Sequence, residues 1–319
     1  MARDPAAPVS PLPPALDGEL QTIAGPDGTR VGYYAAEPQA AVGAGTGGSA
    51  AGVPLLLIHS VNAAASAYEV KPLFDHYRGL RPVYAIDLPG YGCSDRSDRR
   101  YTPRLMTDAV LAVAAGIAAR HGGAPIDAIA VSLSCEYLAR AAVERPAAFR
   151  SIGLVSPTGL DRVQPRFGEP GGDRGQAWLF AVLARAPWSA AVYRGLTRPG
   201  VIRFFLAKTW GSKNIDEGLL AYDIVTTRQP GASFAPFFFV SGFLFSADIG
   251  HLYDALAVPV RVVHGTRGDF TNYRGLARYA ARANWKVDVM QTGALPYFED
   301  LPRFVALYQA PFAALREGA

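Results

Sequence analysis

The chain has 319 residues and a mass of 33.9 kDa, and half of its residues are hydrophobic. A chain of this length and composition fits one large α/β domain with an insertion better than two equal domains. Its net charge of +4 comes from scattered arginines without a basic block, which excludes a nucleic-acid or membrane partner. The two cysteines are too few for a disulfide framework, and no apolar stretch is long enough to cross a bilayer, so we expect a cytoplasmic protein.

The first half of the chain alternates between strand and helix patterns. The proline-rich residues 1–20 predict a disordered lead-in, residues 21–36 a β-hairpin, and the Gly- and Ala-rich residues 40–52 a mobile surface loop. Strands are then predicted at 53–59, 82–87, 126–131 and 151–155, and helices between them at 67–77, 102–121 and 137–144. Such alternation predicts an α/β fold with a doubly wound, mostly parallel sheet, whose site lies at the carboxyl ends of the strands.

Between residues 161 and 252 the alternation fails, and aromatic segments with short helical patterns replace it. This segment predicts a helical cap that covers the carboxyl edge of the sheet and lines an apolar site. A helical layer without a pocket is the alternative. Alternation resumes with strands predicted at 258–264 and 285–289, and with helices at 272–283 and 302–315. The core therefore comprises residues 21–160 and 253–319.

The segment Ile126 to Val143 predicts a strand, a sharp turn and a helix. We interpret the turn as a nucleophile elbow with Ser134 at its tip, where the backbone N–H groups of the new helix face the serine hydroxyl. The usual G-x-S-x-G then reads Ser132-x-Ser134-x-Glu136, with neither glycine present. The alternative is that Ser134 is a small polar residue filling a tight joint.

Six segments follow one another in a characteristic order: LLLIHSVN, AIDLPGYGCSDR, AVSLSCEYLARAA, LVSPTGL, VPVRVVHGTRGDF and TGALPYFEDLPRF. The most specific part is DLPGYGCSD, because its proline and glycines define a particular turn. Together these segments resemble the α/β-hydrolase superfamily over about residues 21–315.

The resemblance implies a role for several residues. Ser134 becomes the nucleophile and Asp269 the acid that orients a histidine. The backbone N–H groups of Val61 and Cys135 become the oxyanion hole. Ser60 and Asn62 are expected to hydrogen-bond a ligand oxygen in the same pocket.

The catalytic histidine itself is missing. The family loop Gly-His-x-Pro reads Gly293-Ala294-Leu295-Pro296 here, so Ala294 stands where the histidine belongs. A serine hydroxyl needs a base that accepts its proton and later protonates the leaving group, and alanine does neither. A substitution introduced at position 294 would also explain the alanine, but the unusual elbow favours a divergent natural sequence.

The replacement base is sought among the other histidines. His264 ends the acid strand, His251 precedes that strand, and His59 ends the strand before the oxyanion loop. Each of the three also has a structural interpretation, and a relay through Glu136 is a further alternative. Cys135 is expected to act through its backbone, and Arg267 to pair with Asp269 or to bind a carboxylate.

Two functions follow from these features. The first is an α/β hydrolase of the ester or C–C bond class, which acts on a small or medium hydrophobic ester, thioester, lactone or C–C bonded acyl substrate with a non-standard catalytic set. The second is a catalytically inactive protein that binds a small apolar ligand on the same fold. We expect no cofactor and no metal, because the sequence has no metal-ligand cluster, phosphate loop or dinucleotide motif. Aromatic residues in the cap are compatible with a homodimer.

Overall fold

A computed structural model of the chain describes residues 11–38, 52–184, 187–268 and 272–310. Its strands form one eight-stranded sheet. They are β1 (Glu19–Ala24), β2 (Arg30–Ala36), β3 (Leu55–Ile58), β4 (Val83–Ile86), β5 (Ile126–Val131), β6 (Phe149–Val155), β7 (Val260–Gly265) and β8 (Trp285–Met290). The strand order is β1-β2-β4-β3-β5-β6-β7-β8, with antiparallel pairing at β1/β2 and β2/β4 and parallel pairing elsewhere.

Helices flank both faces of this sheet. The described α-helices are α1 (Lys71–Tyr77), α2 (Pro103–Arg120), α3 (Ser134–Glu144), α4 (Ala177–Ala184), α5 (Ser189–Leu196), α6 (Pro199–Trp210), α7 (Glu217–Thr226), α8 (Phe234–Val240), α9 (Ile249–Ala255), α10 (Ala277–Ala280), α11 (Pro296–Glu299) and α12 (Leu301–Gln309). Short 3-10 helices occupy Ala67–Val70 and Pro146–Ala148. Within the described ranges, no helix combines the length and apolarity that a membrane span requires.

The central strands are buried on both faces, which explains their continuous apolar sequences. All six residues of β5 are buried between β3 and β6, and β5 has the bounds predicted from the sequence. The carboxyl ends of β3, β5, β6 and β7 lie at one edge of the sheet because these strands are parallel. The predicted doubly wound, mostly parallel α/β sheet is confirmed.

Residues 161–252 lie within the connection from β6 to β7 and contain α4 to α8 and the start of α9, and none of the described strands. Its position is fixed partly by a buried ion pair, in which the Arg140 guanidinium of α3 contacts the Asp248 carboxylate at 2.6 Å. Asp248 also accepts the Gly171 N–H at 2.7 Å. The elbow helix and this helical segment are therefore joined directly.

Three local expectations do not hold or lie outside the described ranges. Disorder through residue 20 is wrong for residues 11–20, because Ala15 and Leu16 are buried and the Ala15 N–H donates to the Tyr34 hydroxyl. The helix expected over 272–283 shortens to α10. Most of the loop expected over residues 40–52 lies outside the described residues.

Candidate functional site

The turn after β5 brings Ser132 to its tip. Ser132 directly follows β5 and has a φ of 55°, in the left-handed region that residues other than glycine seldom adopt. A strained residue between a buried strand and a helix is the backbone geometry of a nucleophile elbow. The half-buried Ser132 side chain lines a cavity, and its hydroxyl has no hydrogen-bond partner among the residues that the structure describes.

The prediction that Ser134 forms the tip of this turn is wrong. Ser134 is the first residue of α3, is completely buried, and donates its hydroxyl to the His59 carbonyl at 2.5 Å. Cys135 is also buried, and its N–H donates to the Ser132 carbonyl at 3.1 Å. Neither residue lines the cavity, so Ser134 cannot meet a ligand there and the Cys135 N–H is already used.

A signal in the sequence could have identified Ser132. The strand pattern ends at Val131, and the elbow tip is the residue that follows a strand. Centred on Ser132, the G-x-S-x-G pattern reads Ala130-x-Ser132-x-Ser134, with a small residue at each glycine position. Both flanking residues are completely buried, as the close approach of strand and helix requires.

Two backbone N–H groups beside Ser132 are free to bind an oxyanion. With Ser132 at the tip, the residue after it is Leu133, and Val61 lies in the loop after β3. Both residues line the cavity, and in the described part of the chain neither N–H has a hydrogen-bond partner. Donors fixed by the fold stabilise developing negative charge without reorganising.

A buried glutamate holds the loop after β3 through one backbone N–H and one side-chain amide. Glu69, which is 3% exposed, accepts the Ser60 N–H at 2.7 Å and the Asn62 side-chain amide at 2.7 Å. The Asn62 side-chain oxygen accepts the Ala64 N–H at 2.7 Å. Ser60 and Asn62 both line the cavity, but the hydrogen bonds of Asn62 hold the loop in shape.

The position opposite the elbow lacks a base. Ala294 lines the cavity, and its backbone is held by the Ser156 hydroxyl, which donates to the Ala294 carbonyl at 2.7 Å. The Ala294 N–H donates to the Thr209 carbonyl of α6 at 2.8 Å. The loop that would carry a catalytic histidine is therefore anchored, and the side chain of Ala294 in this loop is only a methyl group.

None of the three proposed replacement histidines lines the cavity. The Leu88 N–H donates to Nε2 of buried His59 at 3.0 Å, and Nδ1 of His59 lies 2.5 Å from the Ser60 carbonyl. The His264 ring stacks on Tyr273 at 3.8 Å, and burial lowers the pKa of His264. His251 is exposed on α9, beside Phe167. Each has a structural environment instead.

The predicted acid, Asp269, lies outside the described residues. Its neighbour Arg267 forms an ion pair with Glu299, and Glu299 also accepts the Gly293 N–H at 2.6 Å. Arg267 is therefore bound to the loop that carries Ala294.

One acidic side chain, Glu136, lies in the first turn of the elbow helix α3. Glu136 is completely buried and accepts the Thr158 hydroxyl at 2.6 Å and the Ser246 N–H at 2.7 Å. Burial raises the pKa of Glu136. Thr158 lines the cavity and separates Glu136 from it, so a relay from Glu136 to a ligand would pass through Thr158.

Asp223 of α7 is 2% exposed and lines the cavity. Burial, followed by the nearby Glu69 carboxyl, raises the pKa of Asp223 well above its usual range. Neither Glu69 nor Asp223 is predicted as a site residue from the sequence. A usable signal existed only for Asp223, the one charged residue in the apolar run LLAYDIVT.

The cavity measures about 350 Å³, which suits a small ligand. Most of its lining is apolar. The lining residues are Ser60, Val61, Asn62, Ala63, Ala64, Glu69, Val131, Ser132, Leu133, Ser156, Thr158, Leu196, Ile202, Phe205, Leu206, Thr209, Asp223, Phe239, Val240, Phe245, Ala294 and Leu295. Among the described residues, no group of three His, Cys, Asp or Glu side chains is arranged to hold a metal ion. The arrangement can hold an apolar molecule with an oxygen at the elbow.

A doubly wound sheet with an elbow at its fifth strand defines the class of α/β-hydrolase folds. The chain belongs to this family, because the sequence model of the Alpha/beta hydrolase family matches its residues 55–307. Among curated proteins, none matches the chain.

Solved structures of known hydrolases share the fold. A probable hydrolytic enzyme from Pseudomonas aeruginosa PAO1 superposes with a TM-score of 0.67 at 17% identity, over 92% of this chain and 93% of its own. A meta-cleavage product hydrolase from Pseudomonas fluorescens IP01 has a TM-score of 0.64 at 16% identity, over 90% and 95%. The Cif epoxide hydrolase from Acinetobacter nosocomialis has a TM-score of 0.61 at 17% identity, over 90% and 86%. Identities this low establish a common fold and leave the reaction open.

Proposed function

We propose that the chain is an enzyme that opens an activated acyl bond in a small or medium, mainly apolar substrate, with Ser132 as the nucleophile. One observation carries the proposal. The Ser132 hydroxyl is unpartnered within the described residues and faces an apolar cavity beside the free N–H groups of Val61 and Leu133. This arrangement supplies the nucleophile and the oxyanion donors of acyl transfer to serine.

The reaction has two balanced steps. The Ser132 oxygen bonds to the carbonyl carbon, the bond to the leaving group breaks, and the hydroxyl proton reaches the leaving group through water. A second water then hydrolyses the acyl-serine and releases the acid. The carbonyl oxygen is held by the two backbone N–H groups while it carries negative charge.

The missing histidine determines the expected rate. Glu69 already accepts two N–H donors, and Asp223 tends to keep its proton, so neither carboxyl is a good base for Ser132. Loss of the histidine from a complete triad costs up to about 10⁶ in kcat, and the oxyanion hole with binding retains about 10³ to 10⁴ over water. We therefore expect slow turnover, restricted to substrates with good leaving groups.

Intact-mass spectrometry after incubation with a fluorophosphonate tests this proposal. The unsubstituted protein and Ser134→Ala should both form a single adduct, and Ser132→Ala should form none. Ser134→Ala is the matched control, because it removes a neighbouring serine hydroxyl that lies outside the cavity. An adduct that persists in Ser132→Ala, or one lost only in Ser134→Ala, would contradict the role of Ser132.

Ligand binding without turnover is the second candidate function. It is favoured by Ala294, which leaves the cavity without a histidine while the oxyanion donors remain. In that case, an apolar methyl ketone should raise the melting temperature saturably, and activated esters should give no product above the Ser132→Ala background. Product formation that depends on Ser132 would reject this alternative.

A further inference from the structure

One wall of the cavity holds two acidic side chains and no described cation. Glu69 comes from the 3-10 helix Ala67–Val70 and Asp223 from α7. We call these two residues the carboxyl pair. No lysine, arginine or histidine is found among the described residues that line the cavity.

The two elements that carry the carboxyl pair are locked together. Tyr68, the residue before Glu69, stacks on Tyr222, the residue before Asp223, with ring centres 5.1 Å apart and planes 24° apart. The last turn of α7 is held by Arg96, which donates to the Thr226 carbonyl at 2.8 Å and to the Thr226 hydroxyl at 2.7 Å. The carboxyl pair is thus built into the wall and is not a chance meeting of mobile side chains.

The two members of the carboxyl pair differ in their hydrogen bonds. Both oxygens of Glu69 accept N–H donors, from Ser60 and from Asn62. Oδ1 of Asp223 is buried and has no hydrogen-bond partner in the described part of the chain, and no described group donates to its other oxygen. A buried polar group without a hydrogen-bond partner costs free energy, so a hydrogen-bond donor on a ligand in the cavity would remove this cost.

Among the described residues, charged side chains on the elements around α7 make contacts with groups other than the carboxyl pair. Arg203 of α6 is bonded to Glu217 at the exposed start of α7, and Lys208 of α6 lies over the Phe204 ring. Arg96 is directed to Thr226. Among the described residues, the charge that acts on Asp223 is Glu69, which disfavours a second negative charge on Asp223.

We propose that the carboxyl pair is a subsite for a protonated amine, so that the ligand of this cavity is a small apolar molecule with an ammonium group. An ammonium has three donors and one positive charge, so it can donate to Oδ1 of Asp223 and balance one negative charge of the carboxyl pair. A carboxylate ligand would meet two acidic side chains and is disfavoured. This inference rests on the proposed function, because it names the substrate class of the same cavity.

A matched ligand series tests the subsite on the full chain. The probes are 4-phenylbutylamine, 4-phenylbutanol and 4-phenylbutyrate, which share an apolar body and differ in the terminal group. By calorimetry at neutral pH, the amine should bind about ten- to a hundredfold more tightly than the alcohol, as hydrogen bonds to charged groups allow. The carboxylate should bind more weakly than the alcohol.

The variants locate the preference. Asp223→Asn should reduce the advantage of the amine over the alcohol to less than about threefold while the alcohol still binds. Glu217→Gln is the matched control, because it removes an exposed carboxylate from the same helix, and it should leave the preference intact. Equal binding of the three probes, no binding of any probe, or a preference that survives Asp223→Asn would overturn the subsite.

The subsite and the proposed function can fail separately. The amines contain no acyl bond, so their binding does not depend on Ser132 chemistry. A Ser132 adduct with no amine preference would reject the subsite alone. An amine preference with no adduct would reject the enzyme and keep a site that binds cationic ligands.

Discussion

The two sides of the cavity differ in what builds them. On the elbow side the functional groups are a left-handed residue, Ser132, and two backbone N–H groups, from Val61 and Leu133. On the opposite side function would need one imidazole, and Ala294 supplies a methyl group on a loop that is still anchored to Ser156 and Thr209. Features made by the backbone persist as long as the fold does, whereas a feature made by one side chain is lost by one substitution.

The elbow side depends on its anchoring to the helical segment, and breaking that anchor should have the largest effect. Asp248→Ala leaves the buried Arg140 guanidinium without its partner and should lower the free energy of unfolding by about 3–5 kcal/mol. Urea unfolding measures this. Asp254→Ala removes the exposed partner of Arg278 and should cost less than about 1 kcal/mol. Equal losses in the two variants would mean that the buried pair does not anchor α3.

The stability that the Arg140–Asp248 ion pair contributes depends on pH. Burial raises the pKa of Asp248, but the hydrogen bonds from Arg140 and the Gly171 N–H outweigh it and leave the pKa below its usual value. A lowered carboxyl pKa contributes stability above the unfolded pKa of about 3.9, which is lost as the pH falls through the folded pKa. The gap between the unsubstituted protein and Asp248→Ala should therefore narrow below about pH 4.

Restoring the missing side chain tests the opposite side. Ala294→His places an imidazole on the anchored loop beside the cavity and should raise the hydrolysis of 4-nitrophenyl butyrate about a hundredfold, as positioned general bases do. Initial rates at pH 8 measure the gain, and Ala294→His combined with Ser132→Ala should show none of it. An unchanged rate would mean that more than one side chain has been lost from this side.

The sequence predicted the backbone of both sides better than their chemistry. Alternating apolar runs identified the parallel sheet, and β5 began and ended where predicted, because a buried parallel strand has a continuous apolar sequence. The absence of the histidine at Ala294 was also visible, since the surrounding loop keeps its motif. In contrast, the elbow tip was predicted at Ser134, two residues after Ser132, because neither serine is flanked by the usual glycines. Small residues do flank Ser132.

The carboxyl pair could not be predicted, for a physical reason. Glu69 and Asp223 meet only because α7 folds back onto the 3-10 helix through the Tyr68 and Tyr222 rings. Contacts between segments so distant in the chain produce no periodic pattern in the sequence of either segment. The same reason explains why His59 looked available, because its Nε2 accepts the N–H of Leu88 from another segment.

The carboxyl pair also predicts a stability effect. Because the pKa of Asp223 is raised, the folded state holds a proton that the unfolded state releases above about pH 3.9, so Asp223 costs stability as the pH rises. Asp223→Asn should therefore be more stable than the unsubstituted protein by about 1–3 kcal/mol at pH 8, and by little near pH 4. Urea unfolding at both pH values measures this. A gain that does not depend on pH, or an equal gain in Glu217→Gln, would contradict a strained carboxyl in the cavity wall.

The smallest expected effect separates the two serines of the elbow by its sign. The left-handed backbone of Ser132 costs a non-glycine residue about 1–2 kcal/mol, and glycine avoids this cost. Part of the gain is offset, because glycine has more conformational freedom in the unfolded chain. Ser132→Gly should thus raise the free energy of unfolding by about 0.5–1 kcal/mol while abolishing reaction with a fluorophosphonate. Ser134→Gly removes a buried hydrogen bond at the start of α3 and should lower the free energy of unfolding by about 1–2 kcal/mol. Urea midpoints at an unchanged slope distinguish the signs. Stabilisation by Ser134→Gly instead would place the strain, and with it the tip of the elbow, two residues further along the chain.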